Sequence, residues 1–415
     1  MIDTLQLNRR TVVQNIATLF SGSIVAQGMT ALALLLAARQ LGVDGYGQYA
    51  ACVALTSITA ILFSLGLDLW LLREGGRDRV QLPVYAGSVL GIKAILGVGW
   101  MAGFFLIAPY LKQETYPVSL LRWSVILIWL DNLLATALTA FKAALCNRVP
   151  EILEAGAALL WFGLTVVLIV LGTSQPILFL VIRIPVTAAA LILGLFKLKS
   201  MIGLRYDSAI ARLGLRNAFP FAASDFLAMV MMRADVVIVS LTLGQTATGL
   251  YSPAIGLVHL GFLAPIAIYL VAVPVLSNLF QNRPQQARRT STRTILLSFG
   301  LGVCLTAGFA VGAPIVVKLL GPGYQDSVDI IRILSLVLLF KSGSYGMAAI
   351  ILANDQQARR TLVQTVAAVI NLLANLLVVY WVGIRGVAGV YVLTEFILLI
   401  GYSWIVWRKL CPKKS

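Results

Sequence analysis

Charge and histidine are what this sequence has least of. Only 12% of its 415 residues are charged, and His259 is the single histidine. Soluble domains carry about 25% charged residues. A surface built from so few charges, in a chain that is 60% hydrophobic, would expose apolar patches beyond the few hundred Å² that monomers tolerate. Cysteine is scarce as well: Cys52, Cys146, Cys304 and Cys411 never fall in a Cys-x-x-Cys spacing. That excludes a disulfide framework and a zinc site, and these residues are expected to pack as small hydrophobes. With one histidine there is little from which to assemble a nucleophile and base pair. No G-x-x-x-x-G-K-[S/T] run occurs, so the cradle that ATP hydrolysis needs is missing. The expectation is a protein that is not an enzyme and carries no cofactor or metal.

What the chain does have is long apolar runs, with a mean hydropathy of +0.92. Residues 11–38 and 45–67 carry no charge at all. A hydrocarbon layer about 30 Å thick is crossed by about 20 helical residues, and continuous rather than alternating apolar runs select helix over barrel. The pattern places spans at 12–38, 48–71, 84–108, 120–143, 152–172 and 177–197, then at 217–243, 250–279, 294–319, 328–352, 361–382 and 387–407. These twelve predict an all-α polytopic membrane protein. The first run is about twice the 7–15 apolar residues of a signal peptide, so it reads as a retained span.

Of the 32 basic residues, 22 fall in connections on the side of the N-terminus and five on the opposite side, with the rest inside spans. By the positive-inside rule both termini are cytoplasmic. The net charge of +16 is thereby explained as orientation and attraction to anionic membrane lipid. Spread over separate loops, it offers no nucleic-acid surface.

Six spans precede the longest cytoplasmic connection and six follow it, which divides the chain into bundles at 1–202 and 203–415. The halves echo one another. Leu41-Gly42, Gly47 and Tyr49 recur as Leu243-Gly244, Gly249 and Tyr251 at a constant offset. Halves with an even number of spans run parallel, an arrangement that places a cavity between two bundles able to rock. External loops are too short to build a glycosyltransferase or polymerase site, and no ring of carbonyls or charges suggests a channel.

Ionisable residues at bilayer depth cost about 2.5–3.5 kcal/mol on insertion scales and therefore face protein or water. Here they are Lys93, Asp131, Arg183, Asp225, Arg233, Asp235, Arg332, Lys341 and Glu395. Five of the nine are basic, pointing to an anionic substrate group, although any of them could equally pair across helices. Asp329 with Arg332, and Arg148 with Glu151, are spaced to pair on one helix face. Asp68 lies close enough to the cytoplasmic end of its span to reach headgroup water. Arg73, Glu74 and Asp78 read as a gate or anchor there. Arg233 and Asp235 point about 200° apart, so each needs its own partner on another helix or a ligand. Polar stripes at Gln14, Thr18 and Ser21, at Ser57, Ser64 and Asp68, and at Gln364, Asn371 and Asn375 suit interhelical bonding. His259 reads as a satisfied interior histidine. Trp129, beside Asp131, is a possible sugar-stacking ring. Pro185, Pro265 and Pro274 are candidate hinges.

In their order along the chain, Leu41-Gly42 with Tyr46-Gly47, Arg73-Glu74 after Gly66, Arg233-Ala234-Asp235, Leu243-Gly244 with Gly249-Leu250-Tyr251, and the glycines 383, 386 and 389 resemble the polysaccharide-transport branch of the multidrug/oligosaccharidyl-lipid/polysaccharide (MOP) exporter superfamily. The resemblance covers essentially the whole chain. It implies a MATE-like fold of two six-helix bundles around a V-shaped cavity in a bacterial or archaeal cytoplasmic membrane. It also implies a flippase for undecaprenyl-diphosphate-linked oligosaccharide used in O-antigen, capsule or exopolysaccharide synthesis. Membrane lipids, a glycan polymerase and chain-length machinery are the partners it implies, and a proton or sodium ion the coupling ion. On this reading Arg183, Arg233, Arg332 and Lys341, with Lys93 behind them, would meet the diphosphate. Asp131, Asp235 and Glu395 would contact hydroxyls or a coupling ion, or balance the arginines. The alternative is a cation-coupled drug exporter centred on Asp131, Asp225 and Asp235.

Overall fold

In lipid a backbone amide finds no water to bond, so a chain this apolar satisfies its peptide groups within helices. The computed structural model describes residues 9–410, without the side chains of 9–21 and a few others. Among the described residues there is no strand. Gln14, Thr18 and Ser21, and Cys411, lie outside what is described.

The chain divides into two compact units, Met1–Met229 and Val230–Ser415. The first holds α1 (Arg9–Thr59), α2 (Ile61–Ser64), α3 (Leu67–Arg77), α4 (Leu82–Ile107), α5 (Val118–Ala143), α6 (Arg148–Val170), α7 (Pro176–Val181) and α8 (Arg183–Met201), and α9 (Ser208–Thr242) begins in it. The second holds the end of α9, then α10 (Gly244–Gly261), α11 (Leu263–Asn282), α12 (Pro284–Leu320), α13 (Ser327–Ala353) and α14 (Gln357–Leu410).

Nine stretches among the described residues are long and apolar enough to cross a membrane, which makes this a multi-pass membrane protein. Two of them, Ile24–Ser64 and Gln357–Arg408, each cover two of the spans expected from sequence. Where the sequence puts a loop, the helix instead continues through one glycine with left-handed φ: Gly42 (φ 69°) in α1 and Gly383 (φ 65°) in α14. With ψ near 180° and −150° these are conformations open essentially to glycine alone. Gly244, the repeat of Gly42, also has positive φ, 84°, so the glycine of the repeated Leu-Gly pair has positive φ both times.

The second expected span, 48–71, is interrupted. Leu65 (φ 47°) and Gly66 (φ 68°) are both left-handed between α2 and α3. A β-carbon at Gly66 would strike the backbone of Phe221 and Ala222 in α9, so only glycine permits this approach. Pro185 and Pro265 sit in the first turns of α8 and α11, just past breaks at Ile182 and Phe262. Proline fits there because a first-turn N–H has no helical partner.

The first unit closes on a core of Leu67, Trp70, Leu82, Phe141 and Leu198. In the second, α13 packs against α11, α12 and α14 around Leu276, Ile350, Leu398 and Tyr402. Outward-facing positions such as Leu106, Val170, Val311, Leu377 and Trp381 are large, apolar and exposed, the surface that hydrocarbon covers.

Candidate functional site

In each unit, oppositely charged side chains at membrane depth meet in ion pairs between helices. In the first unit, the break at Gly66 starts α3 so that Asp68 falls in its first turn, where the helix N-terminus favours a carboxylate. Asp68 Oδ2 receives Lys93 Nζ from α4 at 2.8 Å. The Lys93 ammonium, wholly enclosed, also donates to Thr136 Oγ1 at 2.8 Å and to the Asn132 carbonyl at 3.2 Å. Thr136 in turn donates to Asp68 Oδ1 at 2.6 Å. All three Lys93 N–H groups are used, which leaves none for a phosphate. Asp225 of α9 stands within electrostatic reach of both Asp68 and Lys93, so the cluster holds two carboxylates to one ammonium.

A second pair lies one residue along α5. Arg183, at the start of α8, donates to Asp131 Oδ2 at 2.8 Å, and Thr187 donates to Oδ1 at 3.2 Å. The guanidinium stands 5.0 Å from the centre of the Trp161 ring, and Tyr49 lies within its electrostatic reach. Both side chains keep about a quarter of their surface open, 28% and 26%.

The second unit repeats this design with the signs exchanged. Expected spans four and six carry acid Asp131 and base Arg183. Their counterparts ten and twelve carry base Lys341 on α13 and acid Glu395 on α14, 2.6 Å apart. Lys341 lies 5.6 Å from the Phe262 ring and 6.0 Å from Tyr345. Glu395 is fully buried, and its Oε2 has no hydrogen-bond partner. Asp235 finds its partner on another helix, as its orientation required: Tyr251 of α10 donates to Oδ2 at 2.7 Å. Tyr49 and Tyr251, the repeated tyrosines, thus each stand near a charged group of their own unit. His259 meets the Tyr391 hydroxyl at 3.5 Å. Asn371 donates to Thr394 across the bend at Gly383, the bonding between helical segments expected of that stripe, while Asn375 donates to Asn371 one turn away on the same segment.

Of the five cations read from sequence as phosphate contacts, Lys93, Arg183 and Lys341 have carboxylate partners of their own, while Arg233 and Arg332 have exposed side chains. Several expected pairings are corrected. Asp329 does not pair with Arg332 three residues on but with Arg385 at 2.7 Å, because the bend at Gly383 brings that arginine to the start of α13. Glu151 is buried, packed beside Gly22 of α1, and its Oε1 lacks a partner; Arg148 is exposed. Asp68 turns into the core rather than toward headgroup water. Trp129 is no sugar platform, since its ring packs on Gly97 within the core. Glu74 takes both Arg73 and Arg77 at 3.6 Å. Thr136, which completes the first of these networks, sits among ordinary apolar helix residues, and no spacing singles it out.

Residues 36–329 match the family model described as "Polysaccharide biosynthesis protein". No curated protein is similar in sequence at a significant level. Among solved structures, an inward-facing multidrug resistance MATE family transporter of the MOP superfamily superposes with a TM-score of 0.74 at 16% identity, over 94% of this chain and 96% of that one. A MOP superfamily transporter from Pyrococcus furiosus, whose binding pocket is described as reversed in polarity, gives 0.65 at 15% identity over 97% and 96%. A eukaryotic MATE transporter gives 0.66 at 14% identity over 97% and 98%. The fold is therefore that of the MATE transporters.

Proposed function

Since the chain belongs to the family of polysaccharide biosynthesis proteins, we propose that it is a MOP-superfamily transporter that flips lipid-linked oligosaccharide across a prokaryotic cytoplasmic membrane for surface-polysaccharide synthesis. The family match is the observation that carries this reading, and the MATE-type fold supplies a scaffold suited to alternating access. Both termini lie on the cytoplasmic side, where the basic connections gather. Undecaprenyl diphosphate carries the glycan, and a glycan polymerase with its chain-length machinery receives it.

The paired geometry refines the roles of the charged residues. Lys93 is structural, because its donors are spent. Arg183 and Lys341 keep 28% and 21% of their side chains open and exchange a carboxylate for a substrate phosphate, a bidentate contact in the case of arginine. Arg233 and Arg332, whose side chains are exposed, meet the head group. Asp131, Asp235 and Glu395 balance these cations and take a coupling proton or sodium ion.

The test is translocation of a fluorescent lipid-linked oligosaccharide in reconstituted vesicles. Arg183→Ala combined with Asp131→Asn, and Arg233→Ala alone, are expected to slow transport at matched protein levels. Wild-type rates in both would remove the assigned roles.

A second reading, a cation-coupled exporter of small molecules, is favoured by the excess carboxylate at Asp68, Asp225 and Lys93. Drug resistance on expression, with surface glycan unchanged on deletion, would establish it instead.

A further inference from the structure

Away from the ion pairs, the first unit contains an open crevice of about 310 Å³ between α4, α5 and α8, walled by Gly87, Gly91, Leu133, Leu191 and Leu195 and roofed at one end by Tyr206. Gly87 and Gly91 are one turn apart on the same face of α4, and without side chains there the helix admits the close approach of the connection that roofs the crevice. The roof is held in place. In the connection between α8 and α9, the Arg205 N–H donates to the Pro83 carbonyl at 3.0 Å. The Ser88 hydroxyl and the Asp207 backbone lie 3.1 Å apart. The Arg205 carbonyl lies against the bare Cα of Gly87, and the Tyr206 ring lies over Gly91. The crevice is present with the connection in place.

Its depth and its mouth say what fits. Gly87 and Gly91 are in the first turns of α4, within about 15 Å of the helix start at 1.5 Å per residue. That end of α4 carries Arg77 and Arg79 just before it. The crevice therefore lies in the membrane half next to the basic connections, the cytoplasmic leaflet in the reading above. Lys199 continues the stripe of Leu191 and Leu195 one turn toward that surface, and Arg205 stands between the roof residues Leu204 and Tyr206; both side chains are exposed. Asp207, the neighbouring acid, is occupied in capping α9, accepting from the Ala209 and Ile210 N–H groups at 2.7 and 3.3 Å. An apolar crevice whose lining leads along α8 to exposed Lys199 and along the connection to exposed Arg205 is complementary to a hydrocarbon chain with an anionic head. The volume, roughly ten waters' worth at about 30 Å³ each, suits a stretch of one chain rather than the two of a phospholipid.

We infer that this crevice seats the head-proximal segment of a single-chain phosphorylated lipid, the polyprenyl phosphate carrier, with its phosphate at Lys199 and Arg205. The choice of carrier rests on the proposed transport of lipid-linked glycan, while the crevice and its mouth do not.

The test uses the full-length protein in phosphatidylcholine vesicles with a polyprenyl phosphate bearing a diazirine in its first isoprene units. Saturable labelling is expected within residues 83–94 and 191–206. Unlabelled polyprenyl phosphate should compete, and polyprenol and phosphatidylglycerol should compete at least about tenfold more weakly, since each lacks either the phosphate or the single tail. Ala94→Phe is expected to fill the trough and abolish labelling. Lys199→Gln with Arg205→Gln, confined to exposed side chains, is expected to weaken it about tenfold while the melting temperature stays unchanged.

Labelling that does not saturate, that is undiminished in the well-folded Lys199→Gln/Arg205→Gln protein, or that phosphatidylglycerol competes for equally would overturn the inference. Translocation measured on the same vesicles separates the two claims. Flipping without saturable labelling removes the crevice and leaves the transport reading. Saturable labelling without flipping does the reverse.

Discussion

Lys93 illustrates how a charge survives at bilayer depth. Its ammonium is enclosed, and the cost of dehydrating it is offset by one carboxylate, one hydroxyl and one carbonyl, each at bonding distance. Removing one partner of such a pair leaves the other uncompensated. Lys93→Met is therefore expected to destabilise the protein by about 3–5 kcal/mol, read as a lowered melting temperature in detergent. Adding Asp68→Asn to Lys93→Met should recover part of the loss, with a coupling of about 0.5–3 kcal/mol. Strict additivity of the two would mean that the pair is not a unit. The exposed pair Arg385–Asp329, by contrast, has side chains 58% and 49% open. Its disruption by Asp329→Asn should change stability by no more than about 1 kcal/mol, whatever its short distance suggests.

At the scale of elements, glycine decides where helices turn, and three positions separate two physical reasons for it. Gly42 and Gly383 have backbone angles that side chains avoid, but a β-carbon would meet nothing within 4 Å at either. Alanine at either position should cost about 1–3 kcal/mol of backbone strain and leave a folded protein. Gly66 combines positive φ with direct contact against the backbone of α9. Backbone cannot step aside as a side chain can, so Gly66→Ala should fail to yield folded protein by size-exclusion chromatography, whereas Gly42→Ala succeeds. Equal behaviour of the two would refute this distinction. The motif carrying Gly42 and Gly244 was visible in the sequence as a spaced repeat. Its conformational meaning was not, because repetition by itself does not reveal a φ angle. The interruption at Gly66 was hidden for another reason: residues 45–67 form an unbroken uncharged run, and hydropathy does not register a local left-handed turn.

For the molecule as a whole, orientation follows from the crowding of basic residues on alternate connections. In otherwise cysteine-free protein, a cysteine introduced at Arg289 should react with an impermeant thiol reagent only when the cytoplasmic face is open. One at Lys112 should react from the outside of intact cells. The opposite pattern would invert the topology and with it the leaflet assigned to the crevice. The sequence by itself determined that this chain spans a membrane as helices, that a Leu-Gly, Gly and Tyr spacing recurs in it and that its interior carries charge, since apolar excess, repeat spacing and ionisable residues within long apolar runs are one-dimensional properties. Only the tertiary structure decided which charges neutralise one another. Asp68 with Lys93, Arg183 with Asp131 and Lys341 with Glu395 lie 25, 52 and 54 residues apart, and a pairing across helices depends on their rotation and depth. Those in turn are set by packing and by glycine turns that leave no trace in hydropathy.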